Sequence, residues 1–272
     1  MTISAKVIAH SSHEGCPDLI TIQARYPRFI HAEAKTHRLI RIDDAEYEFL
    51  QEVSLMDDPQ LSRNASSSRA IPIQRMIQDV LDDPAMPVEW GSNKAGMQAG
   101  EEIEYPSDGK VQWNLAMTSA VYHAKHLADL GLHKQIVNRV LEPFSHISVV
   151  ITATDWDNFF ALRCHPDADP TMRALAEAMR DAIDLSVAWN LKIGEWHKPY
   201  GGMLKHSAAR CARVSYLNHD GTEPDTGKDD DLAQMLIDSG HWSPFEHQAT
   251  PTPNERHANL NGWMSHRTAL GA

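Results

Sequence analysis

Residues 19–27, LITIQARYP, decide the fold class. Ile20, Ile22, Ala24 and Tyr26 alternate with Thr21, Gln23 and Arg25, the two-residue period of a strand with one buried face. Pro27 closes the run, because proline has no N–H to give a ladder. The next stretch, RFIHAEAKTHRLI (28–40), is rich in helix formers and predicts a helix with His37 and Arg38 at its far end. Further on, SHISVVITATD (145–155) is a β-branched strand candidate. Helical patterns fill IPIQRMIQDVLDD (71–83), WDNFFALRCHP (156–166, stopped by Pro166) and PTMRALAEAMRDAIDLSVAW (170–189). Residues 111–144 read as one long helix or two, with a break near Gly131. Strands interleaved with longer helices give an α/β (α+β) chain.

The remaining segments are more polar. Residues 41–61 are acidic and read as a short helix with an Asp cap. Residues 89–110 are Gly-rich and read as a long loop or lid. The stretch 195–203 reads as a loop, and 223–231 as a surface loop running into a helix start. No repeat of 20–50 residues is present.

Composition bounds the function. Lys+Arg 25 against Asp+Glu 37 gives a net charge of −12. A global field of that sign argues against a nucleic-acid polymer or an anionic membrane as partner. It leaves room for a mononucleotide in a local basic pocket. Hydrophobic content of 42% is enough for a packed core. Three cysteines, Cys16, Cys164 and Cys211, form no CxxC pair and fit a reducing compartment. The N-terminal residues MTISAKVIAHSSHEG lack the apolar core of a signal peptide, and no run is long enough to span a bilayer. The expectation is a cytoplasmic protein of one domain.

Against that acidic background stands SRNASSSR, residues 62–69. Four hydroxyls, two guanidiniums and one amide occur there with no carboxylate. Arginine forks, hydroxyls and turn N–H groups suit a phosphate. The same run also reads as a solvated Ser-rich turn. Four other pieces concentrate polar chemistry: Thr36-His37-Arg38, Asn138-Arg139, Asn158 to Arg163, and GHWSPFEH (240–247). Each has a plain alternative. A His-Arg pair suits a helix C-terminus, and Arg139 and Arg163 can pair with surface carboxylates. His241 and His247 are six apart across a proline with no third ligand at a zinc-like spacing, so no metal is expected. Neither GxGxxG nor a P-loop occurs.

Taken together, these pieces resemble the flavin-dependent thymidylate synthases. His37 and Arg38 match the end of that family's R-H-R; Ser62, Asn64, Ser67 and Arg69 match its S-x-N-x-x-S-x-R; Arg139 matches its A-R-x-x-L-P arginine; and Asn158, Leu162 and Arg163 match its N-F-x-x-L-R helix. ARVSY (212–216) and GHWSPFEH (240–247) are similar to pieces that in the family precede R-H-R. Here they lie near the C-terminus, within about 207–250, as in a circularly permuted chain. GWMSHR (262–267) echoes a helix ending in His-Arg. The chain departs from the family at Thr36, Ala65 and Ala70, at Asp169 where glutamine is usual, and in carrying the extra segment 41–61.

The resemblance implies a central, mostly antiparallel sheet flanked by helices. It implies FAD as cofactor, methylene-tetrahydrofolate and NADPH as co-substrates, and deoxyuridylate or another pyrimidine deoxynucleotide as substrate. A homotetramer with active sites shared between subunits is expected. The residues implied for substrate are Ser66, Ser67, Ser68, Arg69 and Arg139, with Arg163 on the pyrimidine as the catalytic group. Those implied for flavin are His37, Arg38, Asn64, Asn158, Leu162, Ser215, His241, Ser243 and Glu246. Cys164 is expected to be structural, since nothing near it in sequence resembles a base. A related flavin-dependent methylase or hydroxymethylase acting on deoxycytidylate or deoxyuridylate, a non-catalytic nucleotide- or flavin-binding homologue, and a histidine-based metal hydrolase are the competing readings.

Overall fold

A computed structural model describes residues 3–37, 53–54, 61–65, 68, 71–95, 99–214, 222, 225–257 and 260–272; at 35–37, 53–54 and 61–65 it describes the backbone. In chain order the elements begin with β1 (Ser4–His13), β2 (Cys16–Pro27), α1 (His31–Lys35), β3 (Thr36–His37), β4 (Val53–Ser54) and β5 (Leu61–Ala65). Helices α2 (Ile73–Asp82), α3 (Pro106–Asp129) and α4 (Lys134–Leu141) follow, then β6 (His146–Ala153), α5 (Asp157–Arg163) and α6 (Pro170–Asp184). The chain closes with β7 (Trp189–Asn190), α7 (Leu204–Arg213), α8 (Thr226–Asp238), β8 (Ala249–His257), β9 (Leu260–Ser265) and α9 (His266–Ala269).

The main sheet has the order β5-β6-β2-β1-β7. Its pairs are antiparallel except β1 with β7, which is parallel. This is the mostly antiparallel, helix-flanked sheet that the resemblance implies. β2 is central because both its faces are buried. Ile20, Ile22, Ala24 and Tyr26 face Ile147, Val149 and Ile151 of β6, with Met172, Leu175 and Met179 of α6 and Phe159 of α5 against them. Each such side chain removed from water is worth about 1.5–3 kcal/mol. The opposite face carries Val150, packed on Cys211 and on Val214 just past α7. A separate layer of α2, α3 and α4 closes over Met76, Val80, Val121, Val137, Leu141 and Phe144. Gly131, with φ +80°, makes the expected break between α3 and α4.

Several expectations are corrected. The helix read over 28–40 is a 3₁₀ turn at Arg28–Ile30 followed by α1, which ends at Lys35; Thr36 and His37 pair with Ser54 and Val53 instead. Ladder hydrogen bonds there replace the last helical turn. The SRNASSSR run is not all turn, since residues 61–65 form β5, with Asn64 opposite Val150. Pairing to β6 outweighs the weak strand preference of Ser, Arg and Asn. Of the loop read over 89–110, the last part already belongs to α3, with Pro106 in its first turn. The helix read to 189 stops at Asp184, and Trp189 joins the sheet edge. GWMS belongs to β9, and only His266 and Arg267 are helical. β1 was not anticipated: a bulge between Val7 and Ala9 breaks its alternation, and its second half is polar. The reading of 41–61 lies mostly outside the described residues.

Candidate functional site

Arg38, Ser66, Ser67, Arg69 and Ser215 lie outside the described residues. His37 and Asn64 are placed by their backbones, on β3 and β5. The other expected site residues fall into three neighbourhoods.

In the first, α4 holds the serine run. Asn138 is fully buried, and its Nδ2 donates to the carbonyls of Ser68 (2.7 Å) and Ile71 (2.8 Å). The Ser68 hydroxyl, itself buried, donates to Glu142. Arg139, next to Asn138 on the helix, is exposed. Arg28 stands close by, its backbone N–H on the Ser145 carbonyl at 2.9 Å and its Nε donating to the Ser145 hydroxyl at 3.3 Å. Burial lowers the Arg28 pKa, and the negative charge of Glu142 opposes that shift. A run without carboxylates in sequence therefore gains one in space.

The second neighbourhood is α5, which packs on α6. Asn158 and Arg163 are half-buried and Leu162 is exposed. Glu33 of α1 lies within electrostatic reach of Arg163. Burial raises the Glu33 pKa, Asp169 raises it further, and Arg163 opposes both. Asp169, where the family usually has glutamine, caps α6 by accepting from the N–H groups of Thr171 and Met172, both at 2.9 Å. Burial raises the pKa of the Cys164 thiol, against the opposing charge of Arg180.

The third neighbourhood is the 3₁₀ turn Ser243–Glu246. It packs against β5, α7 and α9, and α7 also touches β5. Segments 62–65, 207–213 and 240–247, far apart in sequence, thus meet in space. His241 is exposed, with Nδ1 2.8 Å from the Ser239 hydroxyl, and Ser243 is exposed. Arg267 Nη1 donates to Glu246 Oε1 at 2.5 Å. Within one chain α4, α5 and the 243–246 turn keep different main packing partners.

Sequence reasoning missed a buried polar chain across the sheet. The Ser11 hydroxyl and His197 Nδ1 are 2.8 Å apart, His197 Nε2 and the Thr21 hydroxyl 2.7 Å, the hydroxyls of Thr21 and Thr152 2.7 Å, and the Thr152 hydroxyl and His247 Nδ1 2.8 Å. All five residues are buried. Burial pushes both histidines down to about 3, so they are neutral at pH 7. Nε2 of His247 and Oε1 of the neighbouring Gln248 are buried without a protein partner among the described residues. His197 sits in GEWHKPY, a stretch whose polar composition reads only as loop.

Among the described residues no group of three or more His, Cys, Asp or Glu side chains is placed to hold a metal. No helix among them is long and apolar enough to cross a membrane. No protein-family model matches the chain, and no curated protein matches it. Solved structures similar in fold include the UMP/dUMP methylase PolB from Streptomyces cacaoi bound with 5-Br dUMP, at 14% identity and a TM-score of 0.48, covering 67% of this chain and 90% of that one. The same protein bound with 5-Br UMP gives 15% identity and a TM-score of 0.44, covering 67% and 88%.

Proposed function

We propose that this chain is a flavin-dependent enzyme that methylates C5 of deoxyuridylate. Methylene-tetrahydrofolate is the carbon donor and NADPH the reductant. The observation that carries the reading is the Asn138–Ser68 hydrogen bond. It ties Asn138, the neighbour of Arg139 on α4, to Ser68 of the serine run. The packing of β5, α7 and the 243–246 turn adds to it, since a permuted chain of this family needs those segments together.

The available donor set fits a flavin. Asn158, His241 and Ser243 are polar and at least partly open to solvent, and Leu162 offers an exposed apolar surface. An isoalloxazine ring needs that combination of edge hydrogen bonds and apolar cover. Glu246, oriented by Arg267, would complete the pocket with His37, Arg38, Asn64 and Ser215. Reduced FAD, when bound, supplies the hydride.

The chain's own residues bind and polarise. Ser66, Ser67 and Arg69 hold the nucleotide phosphate, with Arg139 assisting; Ser68, expected among them, is buried with its hydroxyl donated to Glu142 and serves to anchor the run instead. Arg163 lies against the pyrimidine edge and stabilises the charge that develops when C5 becomes nucleophilic. A guanidinium keeps its charge throughout and needs no reorganisation. The separate neighbourhoods of α4, α5 and the 243–246 turn fit sites completed by residues of more than one subunit, in a homotetramer.

The test is the visible spectrum of the purified protein, then titration with deoxyuridylate and with deoxycytidylate. Flavin absorbance, bleached by NADPH and restored with deoxyuridylate and folate present, supports the proposal. A colourless protein that takes up neither flavin nor nucleotide overturns it. Mass analysis of the product from labelled folate separates methylation from hydroxymethylation.

A further inference from the structure

Outside the neighbourhoods described above, one side-chain cluster has the parts of a nucleophile and its base. His10 precedes Ser11 on β1 and takes the opposite face of the sheet, the face on which α6 packs. Its Nδ1 is 2.6 Å from the hydroxyl of Ser186, two residues past the end of α6, and its Nε2 is 3.1 Å from Oδ2 of Asp18 on β2. The side chain of His10 is 10% exposed and that of Asp18 is 49% exposed. An ionised carboxylate only accepts, so in the neutral ring Nε2 carries the proton and Nδ1 is the acceptor turned to the hydroxyl. A serine nucleophile needs that order: hydroxyl, base, and a carboxylate that fixes the tautomer of the base.

We propose that Ser186, His10 and Asp18 form a second reactive site, which hydrolyses carboxylic esters with an apolar acyl group. Leu185 and Val187, on either side of the serine in sequence, are 85% and 88% exposed, and Trp189 on β7 is 74% exposed. Trp189 pairs with Ser11, the residue after His10. Apolar side chains held in solvent around a nucleophile offer an acyl chain a surface to cover. Ser186 Oγ attacks the ester carbonyl carbon, and its proton passes to His10 Nδ1. The C–O bond to the alcohol then breaks, and His10 gives the proton to the leaving oxygen. Water, deprotonated by His10, cleaves the acyl–Ser186 bond; the acid leaves, and the proton returns to Ser186 Oγ. The Ile183 carbonyl, 2.7 Å from the same hydroxyl, competes for its proton and holds the oxygen beside the ring. The C-terminal carbonyls of α6 favour the imidazolium formed in each step and oppose the oxyanion. The N–H groups of Val187 and Ala188, directly after the serine, have no hydrogen-bond partner among the described residues and are the donors for that oxyanion. The site does not depend on the nucleotide reading.

The experiment treats the full chain with a fluorophosphonate probe and identifies the labelled peptide by mass, alongside hydrolysis of p-nitrophenyl butyrate and p-nitrophenyl acetate. The label is expected on Ser186, with the butyrate cleaved faster than the acetate. Ser186→Ala is expected to lose the label, and both it and His10→Gln to lose roughly 10²-fold or more in ester hydrolysis. Asp18 acts through His10 as a positioning residue. Asp18→Asn is expected to slow labelling by about tenfold or more, and Asp18→Glu to restore part of it. A folded wild type that takes no label, or takes it on another residue, overturns the proposal. So does a folded His10→Gln that labels as fast as the wild type, or a Ser186→Ala that keeps the hydrolytic rate. The labelled position is read on the wild type, so the result stands if circular dichroism shows a variant unfolded.

Discussion

His197 and His247 sit on either side of a two-threonine bridge, His197 Nε2 on Thr21 at 2.7 Å and His247 Nδ1 on Thr152 at 2.8 Å, with the two hydroxyls 2.7 Å apart. The bridge couples their ring protons: each hydroxyl has one proton to donate, so the tautomer of one ring constrains the other.

Acid should destabilise the protein through these rings. Both have folded-state values of about 3, below the ordinary 6.5, and His146 is pushed to about 4 by burial, helped by Arg25. The folded protein therefore holds these rings neutral while the unfolded chain takes up protons. The stability they contribute is complete above about pH 6.5 and is lost as pH falls toward 3. Each costs about 1.4 kcal/mol per pH unit within that window. Urea midpoints at pH 7, 5.5 and 4.5 check this, and a flat profile would contradict it.

Asn138→Ala removes both bonds from α4 to the segment 68–71, leaving the Ser68 carbonyl with only the Ile71 N–H at 3.2 Å. A loss of about 1–3 kcal/mol is expected by chemical denaturation. Nucleotide affinity should fall further than stability accounts for, since the serine run loses its anchor. Equal nucleotide binding by the variant at a temperature where it is fully folded would separate the run from the phosphate.

Arg163→Lys should keep the flavin colour and lose roughly 10²–10³ in turnover, the usual effect of removing one electrostatic stabiliser. Full-speed turnover would remove Arg163 from the reaction.

Asp229 is fully buried on α8 between Arg210 and Arg213 of α7. Asp229→Ala leaves two guanidiniums without their buried counter-charge, and about 3–5 kcal/mol of stability should go. Replacing Asp229 and Arg213 together should cost less than the sum of the single changes, a coupling that a double-mutant cycle measures.

Periodicity carried much of the fold. LITIQARYP and SHISVVITATD became neighbouring strands, and 71–83, 156–166 and most of 170–189 became helices. In each, the hydrophobic period matches the face that is buried. The site was less legible. Which residues of SRNASSSR form a strand was set by β6, because Ser, Arg and Asn have no strong backbone preference of their own. His197 gave no signal, since a histidine in a polar loop looks the same whether it is exposed or buried among hydroxyls.

The sequence by itself determined the α/β class, the acidic character and the stock of guanidinium and hydroxyl groups, because these follow from composition and local period. Only the tertiary structure decided which of them meet. Asn138 reaches Ser68 across 70 positions, and Thr152 reaches His247 across 95. Contacts at that separation depend on sheet order and helix packing, which are set by how buried faces fit together and not by any local pattern.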